Sequence, residues 1–167
     1  MEILFENKYI RDKAWAKDIN KYLCYHRPVI YAIYAAFGVY FLFGVFNLLV
    51  NRKIEWAVFF LPIIWVIVSG VICRSNTKTV LKRDAERSDE PIEVTAVVTE
   101  ETIQLTQSTG AELEIPLYEV KNAARTKTFV YIFTKTGVTC SFKKDGFTTG
   151  DWAGFVTFLK EKGIKVR

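Results

Sequence analysis

Apolar and polar positions follow different periods in different parts of the chain. Residues 28–50 contain no Asp, Glu, Lys or Arg in 23 positions, and residues 56–73 contain none in 18. At about 1.5 Å per helical residue these runs reach roughly 34 Å and roughly 27 Å, against a hydrocarbon core of about 30 Å. The core helix of a soluble protein keeps a polar face, and neither run has one. The pattern predicts two transmembrane helices, 28–50 and 56–73. Between them lies a hairpin loop at 51–55, Asn51-Arg-Lys-Ile-Glu55, short enough to force antiparallel neighbours. Pro62 falls inside the second helix, where membrane surroundings tolerate a missing backbone donor. Ala32, Ala36, Gly38, Gly44, Ser69 and Gly70 let the two backbones approach closely.

The flanks read differently. In residues 1–27, Trp15, Ile19, Tyr22 and Leu23 share one helical face, while Lys13, Lys17 and Lys21 repeat every four residues along another. This predicts an amphipathic juxtamembrane helix whose apolar stripe fits either the headgroup layer or the soluble domain. Residues 74–90 are polar, basic first and acidic last, and read as a connector. From Pro91 the period becomes two. Ile92, Val94, Ala96 and Val98 face one way and Glu93, Thr95 and Val97 the other, and 102–106 and 112–115 repeat that period, with a turn at Ser108-Thr-Gly110. Phe129–Thr134 and Val138–Phe142 form a hairpin through Lys135-Thr-Gly137, and Tyr118–Thr126 supplies a further short strand. The end returns to helical spacing at Trp152, Phe155, Val156 and Leu159, with Thr149 or Asp151 as N-cap and Gly163 at the C′ position. The expected architecture is a membrane protein. It pairs a two-helix transmembrane hairpin with a small α+β domain over 91–167, an antiparallel sheet of five or six strands closed by one C-terminal helix.

Charge adds orientation. The net charge of +5 is spread over 23 Lys and Arg against 18 Asp and Glu. Six of the basic residues precede the first run, two lie in the hairpin, and five fall between Arg74 and Arg87. By the positive-inside rule both termini are cytoplasmic, in a multi-pass protein of the cell inner (plasma) membrane. Arg27, Arg74, Lys78, Lys82 and Arg83 are the candidates for contact with the membrane surface, where anionic lipid attracts cations. The first run is too long for the apolar region of a cleavable signal and acts as an uncleaved anchor. The three cysteines have no CxxC spacing. Cys24 and Cys73 fall near one interface, and a reducing compartment favours thiols over a bridge.

Candidate chemistry is sparse. The single histidine, His26, sits at the membrane boundary without a partner motif, as a headgroup neighbour or a pH-sensitive group. No His/Cys spacing suits zinc, and no nucleophile elbow, Walker loop or dinucleotide fingerprint is present. Asp145–Asp151 holds two acids and two glycines without the ligand alternation of a calcium loop, and reads as the turn into the last helix. Past Cys73 the count is 15 basic against 13 acidic residues, which gives no footprint for nucleic acid. The sequence therefore predicts no catalytic residue, no cofactor, no metal and no enzyme activity.

One resemblance is visible. Gly110 followed by Ile115-Pro-Leu-Tyr-Glu-Val120, then Arg125-Thr-Lys-Thr-Phe-Val-Tyr-Ile-Phe133, then Lys143-Lys144 and a Phe/Leu helix, resembles the C-terminal domain of YcxB-like bacterial membrane proteins. Those proteins often carry Pro-Lys at the end of the last strand, where this chain has Ser141-Phe-Lys-Lys144. The resemblance implies a sheet-plus-helix domain similar to pleckstrin-homology folds, and no reaction. The expected role is non-enzymatic: a membrane protein that presents its cytoplasmic domain to a partner protein, a peptide or an anionic lipid headgroup. The alternative is an oligomeric channel or transporter accessory subunit, in which the homo-oligomer rather than the single chain would build a pore.

Overall fold

Phe5–Ile10 forms a strand, β1, in which Asn7 and Tyr9 are buried and Lys8 and Ile10 exposed. The computed structural model describes residues 2–26, 28–52 and 56–167. Two units emerge: the chain up to Asp18 together with Leu81–Arg167, and Ile19–Val80. Lys53, Ile54 and Glu55 of the expected hairpin lie outside the described residues.

The first unit carries two antiparallel sheets. One has β2 (Glu93–Val98), β3 (Thr102–Gln107), β4 (Glu112–Pro116) and β8 (Phe147–Thr149) in the order β4-β3-β2-β1-β8. The other has β5 (Val120–Arg125), β6 (Phe129–Thr134) and β7 (Thr139–Lys143) in sequence order. β1 lies inside the larger sheet, with Phe5 opposite Val98 and Ile10 opposite Glu93, and β8 on its other side. The expectation of five or six strands in one sheet is thus corrected: the described residues form eight strands in two sheets. The segment 1–27, expected to hold a short amphipathic helix, divides at Arg11-Asp12. A strand precedes these two residues and helix α1 (Lys13–Tyr25) follows. A one-turn 3-10 segment at Leu117–Glu119 opens the stretch expected as a strand from Tyr118, and β5 begins at Val120.

The alternating faces meet in a shared core. Val94, Ala96 and Val98 of β2, Ile103 of β3 and Ile115 of β4 are buried with Val130, Ile132 and Phe142 of the smaller sheet. The C-terminal helix α4 (Trp152–Glu161) inserts Phe155 among three rings: Phe142 at 4.5 Å, Phe5 at 5.4 Å and Phe147 at 5.5 Å. Asp151 caps this helix by accepting from the Gly154 amide at 2.7 Å, and Gly163 follows it with φ of 75°. The tail then covers the edge of β5, where the Ala123 amide donates to the Lys165 carbonyl at 3.0 Å and the Arg167 amide to the Ala123 carbonyl at 3.0 Å.

The second unit contains α2 (Pro28–Asn51) and most of α3 (Trp56–Ala85), two helices long and apolar enough to cross a membrane. Only 6% of the most apolar window of each is buried within the chain. They are antiparallel neighbours: Gly44 lies against Val58, Phe41 meets Phe59 edge-on at 5.7 Å, and Phe37 approaches Trp65 at 6.1 Å. A β-carbon on Gly44 would overlap the buried Val58 side chain, which is why a glycine stands there. α3 runs on to Ala85, so most of the stretch expected as a connector is helix.

The two sheets are stitched by one side chain. Asn7, fully buried in β1, donates from Nδ2 to the Lys143 carbonyl at 2.7 Å and accepts the Lys143 amide on Oδ1 at 2.9 Å. An Asn7→Leu substitution strands a buried donor and a buried acceptor of β7, and is expected to cost about 2–5 kcal/mol of stability. Denaturant titration of the full chain in detergent micelles checks this, and an unchanged midpoint would contradict it.

Candidate functional site

The residues expected at the membrane surface are exposed wherever they are described. Arg74, Lys78 and Lys82 follow one another at four-residue spacing on α3, which places them along one stripe of that helix, and Arg83 is exposed beside Lys82. Lys82 lies 3.8 Å from Glu86, a loose pair in open solvent. Thr77 and Thr79 donate their hydroxyls to the Cys73 and Ser75 carbonyls at 2.9 and 3.0 Å, so the helix carries its polar residues without unmet groups there. Arg27 lies outside the described residues. His26 is exposed, its Nδ1 3.0 Å from the Tyr31 hydroxyl and its ring stacked on Tyr22 at 5.8 Å. Among the described residues no disulfide forms and no three His, Cys, Asp or Glu side chains converge as a metal site.

A second constellation, which sequence reasoning did not single out, lies where β1, the first turns of α1 and the end of α3 meet the smaller sheet. Trp15 is buried on β7 and donates its indole N–H to the Ser141 hydroxyl at 2.9 Å. The Arg11 guanidinium lies over the Trp15 ring at 4.5 Å and pairs with Asp84 of α3 at 3.0 Å. Asp18 accepts hydrogen bonds from the Tyr131 and Thr126 hydroxyls, both at 2.8 Å. Tyr9 packs edge-on against Phe129 at 6.0 Å. The two carboxylates thus sit one on each of the helices that leave this unit, Asp18 held by Tyr131 of β6 and by Thr126 just past β5, and Asp84 by Arg11 just past β1. Arg11 and Asp84 are both mostly buried, and among the described residues Arg11 Nε and Asp84 Oδ2 have no hydrogen-bond partner.

The electrostatics of this junction keep its hydroxyls and thiol neutral. Burial pushes the Tyr9 phenol up to about 12 against the lowering effect of Ser141 and Arg11. Burial also raises Tyr131, and the adjacent Asp18 carboxylate raises it further because the neutral phenol donates to it. Burial alone pushes the Cys140 thiol up to about 12. A protonated, buried thiol is a poor nucleophile, and Ser141 is engaged by an indole rather than by a base. The chemistry on offer is fastening. No family profile, curated protein or solved structure matches the chain, so the reading rests on this geometry.

Two predictions follow from the junction. Asp84→Ala leaves Arg11 buried and unpaired, with an expected loss of about 3 kcal/mol, whereas the double change Arg11→Met with Asp84→Leu recovers most of it. Denaturant midpoints of the three chains check this, and a double variant as unstable as the single one would contradict it. Groups whose folded pKa is raised stabilise the fold fully below their unfolded pKa and lose that contribution as the pH climbs through the folded value. Stability should therefore fall above about pH 9 through Cys140 and above about pH 10 through Tyr9 and Tyr131, by about 1.4 kcal/mol per pH unit for each group. Melting the Cys140→Ala chain at pH 8 and pH 10.5 checks the first part: its loss should be smaller than that of the unaltered chain.

Proposed function

We propose that this chain is a two-span membrane protein that holds a small sheet-and-helix domain at the cytoplasmic face and presents it to a partner. One observation carries the reading. β1 precedes both apolar helices, yet it pairs with β2 and β8, which follow them. A sheet cannot form through a bilayer, so the chain between β1 and β2 crosses an even number of times, and α2 and α3 supply two crossings. The antiparallel contacts of Gly44 with Val58 and of Phe41 with Phe59 fit such a hairpin. The excess of Lys and Arg on the flanks, including Arg74, Lys78, Lys82 and Arg83, favours the cytoplasm for that side, where these cations would meet anionic headgroups.

The domain in this reading is YcxB-like. Two antiparallel sheets followed by a helix that plugs the core through Phe155 also support kinship with pleckstrin-homology folds. Its role is binding. The polar junction fastens both exits from the domain, which suits a module that must keep its shape beside a membrane.

Sidedness is directly measurable. In a chain whose three native cysteines are replaced, a cysteine at Asn51 should react with an impermeant maleimide in intact bacterial cells. Cysteines at Glu2 or Thr109 should react only after permeabilisation. Labelling of Glu2→Cys and Thr109→Cys on opposite sides would sink the two-span reading, and labelling of both from outside would reverse the orientation.

A further inference from the structure

The sheets have four edges, and three are closed or short. The C-terminal tail lies on β5, Asn7 occupies the Lys143 backbone of β7, and β8 is three residues long. β4 is the exception. Its neighbour β3 takes the main-chain groups of Leu113 and Ile115, as the flanking bonds Gln107 N–H to Ala111 C=O at 2.9 Å and Leu117 N–H to Glu101 C=O at 2.8 Å require. The N–H and C=O groups of Glu112 and Glu114 therefore face away from the sheet. Among the described residues no hydrogen bond satisfies them from that side. Pro116, lacking an N–H, ends the usable edge.

The side chains along this edge say what fits. Glu112 and Glu114 share one face with the neutral Gln104 and Thr106 opposite, and among the described residues neither is in an ion pair. Leu113 lies between them on the other face, 42% exposed, and Tyr118 beyond Pro116 is 76% exposed. These are two of the four large apolar side chains exposed in the sheet-bearing unit, with Ile3 and Ile10 the others among the described residues. A second copy is the wrong occupant. Antiparallel pairing of β4 with itself would bring four carboxylates side by side, and like charges across strands repel.

We propose that the outer edge of β4 docks an extended segment of a partner protein in which Lys or Arg alternates with apolar residues, joined main chain to main chain. The cations stand opposite Glu112 and Glu114, and the apolar residue between them continues the face of Leu113. This deepens the partner-binding reading and rests on it, while its test is independent of membrane sidedness.

The test uses the full chain in detergent micelles and a fluorescent eight-residue peptide of alternating lysine and valine, followed by anisotropy. Binding is expected, and it should weaken about tenfold in the double variant Glu112→Gln with Glu114→Gln, where two charge pairs are lost. Glu114→Pro removes an outward N–H that the fold does not use, so it should abolish binding while the melting temperature holds. Should that variant melt early, the peptide N-methylated at its edge-facing amides repeats the test without touching the fold, and should not bind. Equal binding of the N-methylated peptide, or of a glutamate–valine peptide, would overturn the proposal. So would a dimer of the chain that Glu114→Pro dissolves, since a second copy would then hold the edge. Failure of this assay with cysteine labelling as expected removes the docking edge alone; the reverse removes the topology alone.

Discussion

Main-chain pairing of β1 is the constraint on which the rest depends. A strand placed inside a sheet must satisfy hydrogen bonds on both sides, and β1 finds its partners only in segments made after both apolar helices. The two ends of the chain are consequently one folded object. Everything between Ile10 and Glu93 is a closed excursion that leaves the sheet and returns to it. Remove β1 and β2 gains a raw edge, β8 loses the strand it pairs with, and Asn7 no longer ties β7 to the larger sheet.

The polar groups of the junction give that arrangement its uniqueness. Apolar packing tolerates small shifts, but Asn7 meets the Lys143 amide and carbonyl in only one register. A slip of one residue along β1 would turn Glu6 or Lys8 into the core and Asn7 out to solvent. Arg11 and Asp84 do the same for the end of α3, and Asp18 for α1, through Tyr131 and Thr126. Asn7, Asp84 and Ser141 are buried polar side chains that stand where elements distant in sequence must be aligned, whereas Thr99 and Thr134 close local turns. The hydrophobic core, centred on Phe155, Phe142 and Ile132, supplies cohesion without such selectivity.

Much of this was legible in the sequence, and the omissions have a common cause. The two apolar helices, the hairpin through Gly137, the strands with clean alternation and the capped C-terminal helix all announce themselves within a dozen residues. β1 does not. Phe-Glu-Asn-Lys-Tyr-Ile is short, carries two charges, and owes its strand conformation to β2 and β8, which both lie far beyond it in sequence. It lies ahead of the helical spacing of Trp15, Ile19 and Leu23, which drew the reading of this segment to the helix alone. The stretch after Cys73 read as a connector because it is polar, yet polarity is compatible with helix, and α3 simply continues. Exposure of Arg74, Lys78, Lys82 and Arg83 followed from their charge. The pairing of Arg11 with Asp84 did not, since no local period links them. Nor did the edge position of β4: alternation marks a strand but is silent about its neighbours.

The place of β1 in the larger sheet also fixes an order of events. A ribosome adding about 5–20 residues per second makes β1 first and β2 only after some 80 further residues, so the strand waits unpaired for about 4–16 s. During that interval α2 and α3 are synthesised and turned back on each other. The domain therefore closes only after α2 and α3 have emerged, and its sheet is completed by the last strands to leave the ribosome.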